Sequence, residues 1–282
     1  MNIGIIGLGL MGGSFGRTVC KKSAHRVYGY DRSPAVMQKA DLLKAYHEVL
    51  TADNAAELDV LVVAVYPQAF AEAVAPYLPL LKKGCIVTDF CGTKRTVVAT
   101  MREWCQTYPH LTFVGGHPMA GREFTGIEHA TYTLFDRASM LLVPVNADIY
   151  ALDKLDKLYL SLGFGGVCVT DADSHDTIIA YTSQLCHVVS NAYIKNRTAE
   201  RHEGYSAGSY RDLTRVARLS PAMWTGLMME NRDKLTEELD ELLSNLSAYR
   251  EALANGDADA LYALLDEGNQ RKLSIDTRNH HG

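Results

Sequence analysis

The stretch GGHPMAGREFTG, residues 115 to 126, sets one histidine, His117, between a glycine pair and a proline and follows it with an Arg-Glu pair. It is too poor in apolar side chains for a core strand and too rich in glycine for a helix interior, so it reads as a shaped loop. A histidine there has two uses: it can hold the loop by bonding backbone, or it can meet a substrate proton. With an unperturbed pKa of about 6.5, an imidazole is largely neutral at physiological pH and can accept that proton. A second segment, YRDLTRVAR, spaces Arg211, Arg215 and Arg218 at steps of four and three, so all three could share one helix face. A guanidinium fork pairs bidentately with a carboxylate, although a solvated basic face would look the same. In TSQLCHVV, Ser183 and His187 are four apart and point the same way from a helix.

The N-terminal run NIGII leads into GLGLMG, in which Gly7, Gly9 and Gly12 hold GxGxxG spacing around Leu8, Leu10 and Met11. Gly7 allows a tight turn, Gly9 lets backbone approach a pyrophosphate, and Gly12 lets the following helix pack close to the strand with its amides aimed at phosphate. The next β-like run, RVYGYD, ends in Asp31, where a carboxylate can accept the ribose hydroxyls. An acid there favours NAD, because it repels a 2′-phosphate. Arg32 leaves NADP possible. Val65, Tyr66 and Pro67, in AVYP, close the run DVLVVAV and follow it, and are expected at a strand's carboxyl end near the nicotinamide half; for Tyr66, a plain surface aromatic is the alternative.

These residues need elements to hold them. Up to about residue 170, the β-rich runs NIGII, RVYGY, DVLVVAV, CIVTD, LTFVG, SMLLVPV and GVCVT alternate with helical stretches. That alternation implies crossovers and a mainly parallel sheet covered on both faces. After Thr170 no strand pattern remains. A helix is expected from Ser174 to about Lys195 with Asp173 as N-cap, and Leu235, Leu239, Leu242, Leu246, Tyr249 and Leu253 form a seam suited to a second long helix, in this chain or another copy. A last helix is expected over about Asp257 to Leu273, with TRNHHG frayed. The fold class is therefore an α/β Rossmann-type N-terminal domain, residues 1–170, plus an all-α C-terminal domain, residues 171–282.

Composition narrows the partners. Twenty-eight basic against 33 acidic residues leave a net charge of -5, which gives no electrostatic case for nucleic acid or an anionic membrane. No apolar run approaches the roughly 18 residues of a bilayer span. Cys20, Cys85, Cys91, Cys105, Cys168 and Cys186 fall singly, with no zinc spacing, which favours reduced thiols, a cytoplasmic location and no metal. A small molecule is the expected partner. Neither a regulatory domain after the last helix nor a fused helical segment ahead of Met1 is expected.

Taken in order, TDFCGTK, GGHPMAGREFTG, TSQLCHVV and YRDLTRVARLSPAMW resemble the prephenate and arogenate dehydrogenases of tyrosine biosynthesis. The resemblance runs from the first strand to at least Trp224. It implies that NAD takes hydride from C4 of a cyclohexadienol while carbon dioxide leaves the ring and a phenol forms. His117 matches the family's catalytic histidine, which accepts the hydrogen bond of the reacting hydroxyl. Arg215 matches the arginine that binds substrate carboxylate, with Arg211 and Arg218 as competitors. Glu123 and Asp212 are expected to pair with Arg215 and orient it. Ser183, Gln184 and His187 match polar pocket positions, and Lys94 matches a lysine that holds cofactor or loop. The helical C-terminal region resembles the family's dimerisation domain, which implies a homodimer.

The sequence also departs from that pattern. Gln184 stands where many members have histidine, and Cys186 where many have proline. Gly92 stands where a serine supports the catalytic histidine, so Thr93 is the candidate to supply the hydroxyl. These departures leave prephenate and arogenate both open as substrates. Outside the family, a β-hydroxyacid dehydrogenase or imine reductase would place a lysine or aspartate on the long helix that carries Ser183, Gln184 and His187. A catalytically silent NAD sensor would need neither His117 nor Arg215.

Overall fold

The computed structural model describes residues 1–122 and 124–279. Eight strands form one sheet: β1 (Asn2–Ile6), β2 (Arg26–Tyr30), β3 (Glu48–Val49), β4 (Val60–Val63), β5 (Ile86–Asp89), β6 (Thr112–Pro118), β7 (Ser139–Pro144) and β8 (Gly166–Val169). Their order is β3-β2-β1-β4-β5-β6-β7-β8. The first six are mutually parallel, in the order of a doubly wound nucleotide-binding sheet. β7 then pairs antiparallel to β6, and β8 parallel to β7. β3 is the strand the sequence does not announce: it is two residues long, at the sheet edge and exposed, so no alternation marks it.

Between the strands run α1 (Leu10–Lys22), α2 (Pro34–Leu42), α3 (Pro67–Val74), α4 (Arg95–Thr107) and α5 (Ile149–Ser161). Alternation along the buried strands splits the core between the two faces. Ile3, Ile5, Val60 and Val62 pack with Phe15 of α1 and Leu155, Leu158 and Tyr159 of α5. Ile6, Leu61, Val63 and Val87 pack with Phe70 of α3 and Val97 and Met101 of α4. Phe15 and Phe90 meet edge to face at 5.0 Å, which ties α1 to the chain leaving β5.

GGHP is not loop. Residues 115–118 continue β6, with Gly115 opposite Val143, Gly116 opposite Leu142, His117 opposite Leu141 and Pro118 opposite Met140. Antiparallel β7 supplies the backbone partners that a composition-based reading overlooks, and the glycine at 116 suits a close approach. A Cβ there would lie 2.4 Å from the Asp89 carbonyl.

After β8 no strand occurs among the described residues. The helix expected over 174–195 is broken in three: α6 (Ala172–Ile179), a π-helical segment (Ala180–Leu185) and α7 (Cys186–Tyr193). Its N-cap is Asp171 rather than Asp173, because the Asp171 carboxylate accepts from the amides of Asp173 and Ser174. α8 (Gly208–Thr214), a 3-10 turn (Arg215–Ala217) and α9 (Pro221–Glu230) follow. All of this belongs to a compact unit, Met1–Asn231.

The second unit, Arg232–Gly282, contains α10 (Arg232–Asn255) and α11 (Ala258–Asn279). Gly256, at φ 66, turns the chain, Asp257 caps α11 by accepting from the Ala260 amide, and the Tyr249 hydroxyl donates to the Leu264 carbonyl at 3.0 Å. α11 runs past the expected end at Leu273, so residues 277–279 are helical rather than frayed; the remainder of that tail, HHG, lies outside the described residues. No helix among the described residues is long and apolar enough to cross a membrane.

The tightest approach in the sheet's first crossover is at Gly12, where a Cβ would lie 1.9 Å from the Gly7 carbonyl oxygen. Gly12→Ala should therefore push α1 off β1 at a cost of about 1–3 kcal/mol. Calorimetry should show a lower Tm together with weakened nucleotide binding; an unchanged Tm would mean that α1 is free to shift.

Candidate active site

In a parallel sheet, the carboxyl ends of neighbouring strands share one edge. Here β1 delivers Gly7, β4 Val65, β5 Asp89 and β6 His117 to that edge. Gly7 turns at φ 88, a conformation that L side chains rarely adopt. The chain then enters α1 with Gly9 at the N-cap, no side-chain cap and no acid in the first turn, so the first amides of α1 are left for an anion. A Cβ at Gly9 would meet nothing within 4 Å, which leaves the backbone approachable.

Leu8, Leu10 and Met11 line this turn. The Leu8 amide donates to Asp31 Oδ2 at 2.8 Å, and Asp31 Oδ1 accepts from the Ser33 amide at 2.9 Å, so the acid at the end of β2 is bound to the glycine turn itself. Arg32 follows it, exposed. Val65 is half-buried, Tyr66 is exposed at the N-cap of α3, and Pro67 is buried at its first turn. Turn, helix terminus and acid together fit a dinucleotide.

Beyond β4 the edge becomes a buried polar cluster. Asp89 and Lys94 are fully buried and form an ion pair. Asp89 also accepts from the amides of Cys91 at 2.8 Å and Gly116 at 3.0 Å, which pins β6 against β5 one residue before the histidine. His117 Nδ1 lies 2.9 Å from His175 Nε2, and His175 Nδ1 lies 2.7 Å from Asp176 Oδ1. Asp176 in turn accepts from the amides of Lys94 at 2.7 Å and Arg95 at 3.0 Å, so a carboxylate of α6 caps the N-terminus of α4. Arg95 Nε adds a fourth donor at 3.2 Å.

The electrostatics follow from that geometry. Burial, the adjacent imidazole of His175 and the Lys94 cation hold the His117 pKa well below the ordinary histidine value. Burial likewise lowers His175, outweighing the bond to Asp176 that favours its charged form. For Asp176, burial acts upward, but the bonds from His175, Arg95 and Lys94 bring the carboxyl below its usual range. The cluster is thus a carboxylate beside two neutral imidazoles.

The helical side is less convergent than the sequence suggests. Gln184 is buried and turns its amide inward, with Nε2 donating to the Leu227 carbonyl at 3.2 Å and Oε1 accepting from Asn231 Nδ2 at 3.0 Å. Asn231 also donates to the Asp176 carbonyl and accepts from Arg95, so Gln184 reaches the cluster through it. Thr93 does not replace the missing serine: its hydroxyl donates to Glu230 at 2.6 Å, and the group beside His117 is His175. At Gly92, a Cβ would instead approach Leu227 at 3.1 Å.

The π segment places half-buried Ser183 so that its carbonyl accepts from His187 Nδ1 at 2.8 Å, while the His187 ring lies 3.8 Å from that of Trp224. Arg215 opens the 3-10 turn, whose Ala217 carbonyl accepts from Asn191 of α7. Arg211 lies in α8 before this turn, and Arg218 lies beyond it in extended backbone, so the three arginines do not share a helix face. Asp212 is exposed, on α8 before the turn, and among the described residues no ion pair joins it to Arg215. Glu123 lies outside the described residues.

Sequence reasoning passed over His175, Asp176, Asp89, Arg95 and Asn231. The available signal was the His-Asp pair of SHD at the start of a predicted helix, where a buried histidine next to an acid is unusual. Asp89, closing the run CIVTD, was a second.

Comparison with known proteins gives this site a family. The family described as "Prephenate dehydrogenase, nucleotide-binding domain" matches residues 15–169, and "Prephenate dehydrogenase, dimerization domain" matches residues 171–267. The chain belongs to the prephenate dehydrogenase family. A cyclohexadienyl dehydrogenase of Zymomonas mobilis is 32% identical over 98% of this chain and 96% of its own length. A prephenate dehydrogenase of Bacillus subtilis is 26% identical over 92% of this chain and 71% of its own. Among solved structures, Synechocystis arogenate dehydrogenase superposes with a TM-score of 0.80 at 24% identity, covering 98% of this chain and 100% of that one. The structure of A. aeolicus prephenate dehydrogenase with hydroxyphenyl propionate and NAD+ gives a TM-score of 0.81 at 23% identity, covering 98% of each chain. These two likenesses confirm the fold.

The buried pair at the centre of the site generates a stability prediction. Lys94→Met should leave the Asp89 carboxylate uncompensated and cost about 3–5 kcal/mol in denaturant unfolding, whereas Lys94→Met with Asp89→Asn should recover part of that loss. Additive losses in the double variant would mean that the two groups are not coupled.

Proposed function

We propose that this member of the family is an NAD-dependent dehydrogenase that converts prephenate to 4-hydroxyphenylpyruvate, with arogenate to tyrosine as the second reading. The observation that carries the proposal is His117: a neutral imidazole at the carboxyl edge of β6, about 14 Å from the glycine turn if three strand spacings of about 4.8 Å separate β1 from β6. Among the described residues its Nε2 has no hydrogen-bond partner. That nitrogen can accept the hydroxyl hydrogen on the ring carbon that loses hydride.

Gly7, Leu8, Gly9, Leu10, Met11 and Gly12 would hold the pyrophosphate, Asp31 and Arg32 the adenosine ribose, and Val65, Tyr66 and Pro67 the nicotinamide half. NAD supplies the hydride acceptor when bound. Asp31 supports NAD over NADP, since its carboxylate is fixed beside the turn and would repel a 2′-phosphate. His117 draws the hydroxyl hydrogen toward itself as carbonyl character develops, and returns it to the phenol oxygen when the departing carboxylate leaves its electrons in the ring.

Arg215 is our candidate for the substrate carboxylate, with Ser183 and His187 flanking it on the helical side, Lys94 supporting the edge, and Gln184 and Thr93 acting through Asn231 and Glu230. We assign residues 1–170 to nucleotide binding and 171–282 to substrate binding and dimerisation. α10 and α11 expose Leu243, Leu246, Leu253, Leu265 and Ile275, an apolar set that suits a second copy of the chain, and the dimerization-domain match supports a homodimer. Six unpaired cysteines suit a reducing cytoplasm. Unlike a silent sensor, the site retains a neutral acceptor.

Rates with prephenate and arogenate, each with NAD and NADP, test the assignment directly; no turnover in all four would sink it. His117→Asn should lower kcat by about two to four orders of magnitude while leaving NAD affinity unchanged in a fluorescence titration. Because the neutral imidazole is the active form and its pKa is depressed, kcat/KM should stay level as pH falls through 6.5 and decline only below it. A half-maximal rate at or above pH 6.5 would contradict that protonation state.

A further inference from the structure

Beyond the family assignment, we infer that His175 is a positioning residue: held by Asp176, it fixes His117 as the Nδ1–H tautomer and so reserves Nε2 for the substrate hydroxyl. The inference rests on the proposed role of His117. It starts from donor and acceptor inventories along the chain of contacts. Asp176 accepts from two backbone amides, from Arg95 Nε and from the His175 ring, so it is ionised and the hydrogen between it and His175 sits on His175 Nδ1. A neutral His175 then has a lone pair on Nε2, and the only hydrogen that can fill the 2.9 Å gap to His117 Nδ1 is carried by His117. With Nδ1 protonated, a neutral His117 has its lone pair on Nε2.

The alternative is informative. Were His175 a cation, its Nε2–H would donate to His117, and His117 would carry its hydrogen on Nε2, where it would face the substrate as a donor. The two states therefore differ in whether the site can accept a proton at all. The charged and titratable groups around His175 are Asp176 on its own helix, His117 on β6, Lys94 and Arg95 at the start of α4, and Asp89 at the end of β5. Asp176 and Asp89 both favour a proton on His175, but the ring's burial and the Lys94 cation, itself paired with Asp89, outweigh them and keep it neutral. The hydroxyl expected from Thr93 is turned to Glu230, and His175 occupies the position of support.

The reaction needs no net proton removal. The hydroxyl hydrogen moves toward His117 Nε2 as hydride leaves, and returns to oxygen as the carbon–carboxyl bond breaks and its electron pair enters the ring. His175 and Asp176 stabilise the transient imidazolium without receiving the proton.

Two measurements decide the matter. Long-range proton–nitrogen NMR of 15N-histidine-labelled wild-type protein, with His117 assigned from the His117→Asn spectrum, should show both rings as Nδ1–H tautomers at pH 7.5; His117 as the Nε2–H form, or His175 as a cation, overturns the inference. In turnover assays, His175→Leu should lower kcat by about 100-fold with KM and NAD affinity within about threefold. His175→Gln, whose amide oxygen can accept from His117 and whose amide group can donate to Asp176, should return kcat to within about tenfold of wild type. Wild-type kcat in His175→Leu, or equal loss in both variants, overturns it. Should His175→Leu fail to fold, as loss of NAD binding would reveal, His175→Gln and the wild-type spectrum carry the decision. Absence of turnover in the wild-type enzyme would defeat the functional reading alone, since the tautomers are read without substrate.

Discussion

A carboxylate removed from water must be met by donors, and the structure depends on how Asp176 is met. Its oxygens collect the first amides of α4, the Arg95 guanidinium and the His175 ring, so one side chain from the helical region closes the helix that follows β5. Breaking that set would expose orphan amides at a buried helix terminus and strand a buried charge, each costly alone. The same bond that joins α6 to α4 also sets the hydrogen on His175. Architecture and site protonation are therefore two consequences of one ion's solvation.

The Asp89–Lys94 pair performs the complementary task on the sheet. Paired inside the protein, Asp89 still has lone pairs for the Gly116 amide, which anchors β6 immediately before His117. β7 then holds the other edge of β6 by antiparallel pairing through His117 and Pro118. A histidine clamped between two strands and a second imidazole loses little freedom when substrate arrives, which is what positioned acid-base groups require. The proline that follows has no amide to donate, so little backbone competes at that end.

Much of this was legible in residue order. Strand runs from NIGII to GVCVT, the glycine turn and Asp31 all follow from periodicity and spacing, because each depends on neighbours close in sequence. What escaped depends on partners far away. GGHP looks like loop until β7 is placed beside it. Asp171 rather than Asp173 caps α6 because the amides of Asp173 and Ser174, not a later pair, are the ones left open. The π segment shifts the side chains after Ile179 out of simple helical phase, and no propensity rule marks it. Gln184 illustrates the general limit: its type announces a donor and an acceptor, but only Leu227 and Asn231 show that both point into the protein.

The depressed basicity of His117 then acquires a physical reason. On the proposed reaction, the hydroxyl proton is lent and returned, so a strong base would retain it and oppose formation of the phenol. A weak base, neutral at working pH and supported by a second neutral ring, takes the hydrogen only while positive charge grows on the ring carbon. Burial beside Lys94 weakens the base, and the Asp176 carboxylate, two bonds away through His175, steadies it at the moment charge appears. Opposing influences of that kind favour the transition state over either resting state, which is the condition for acceleration rather than tight binding.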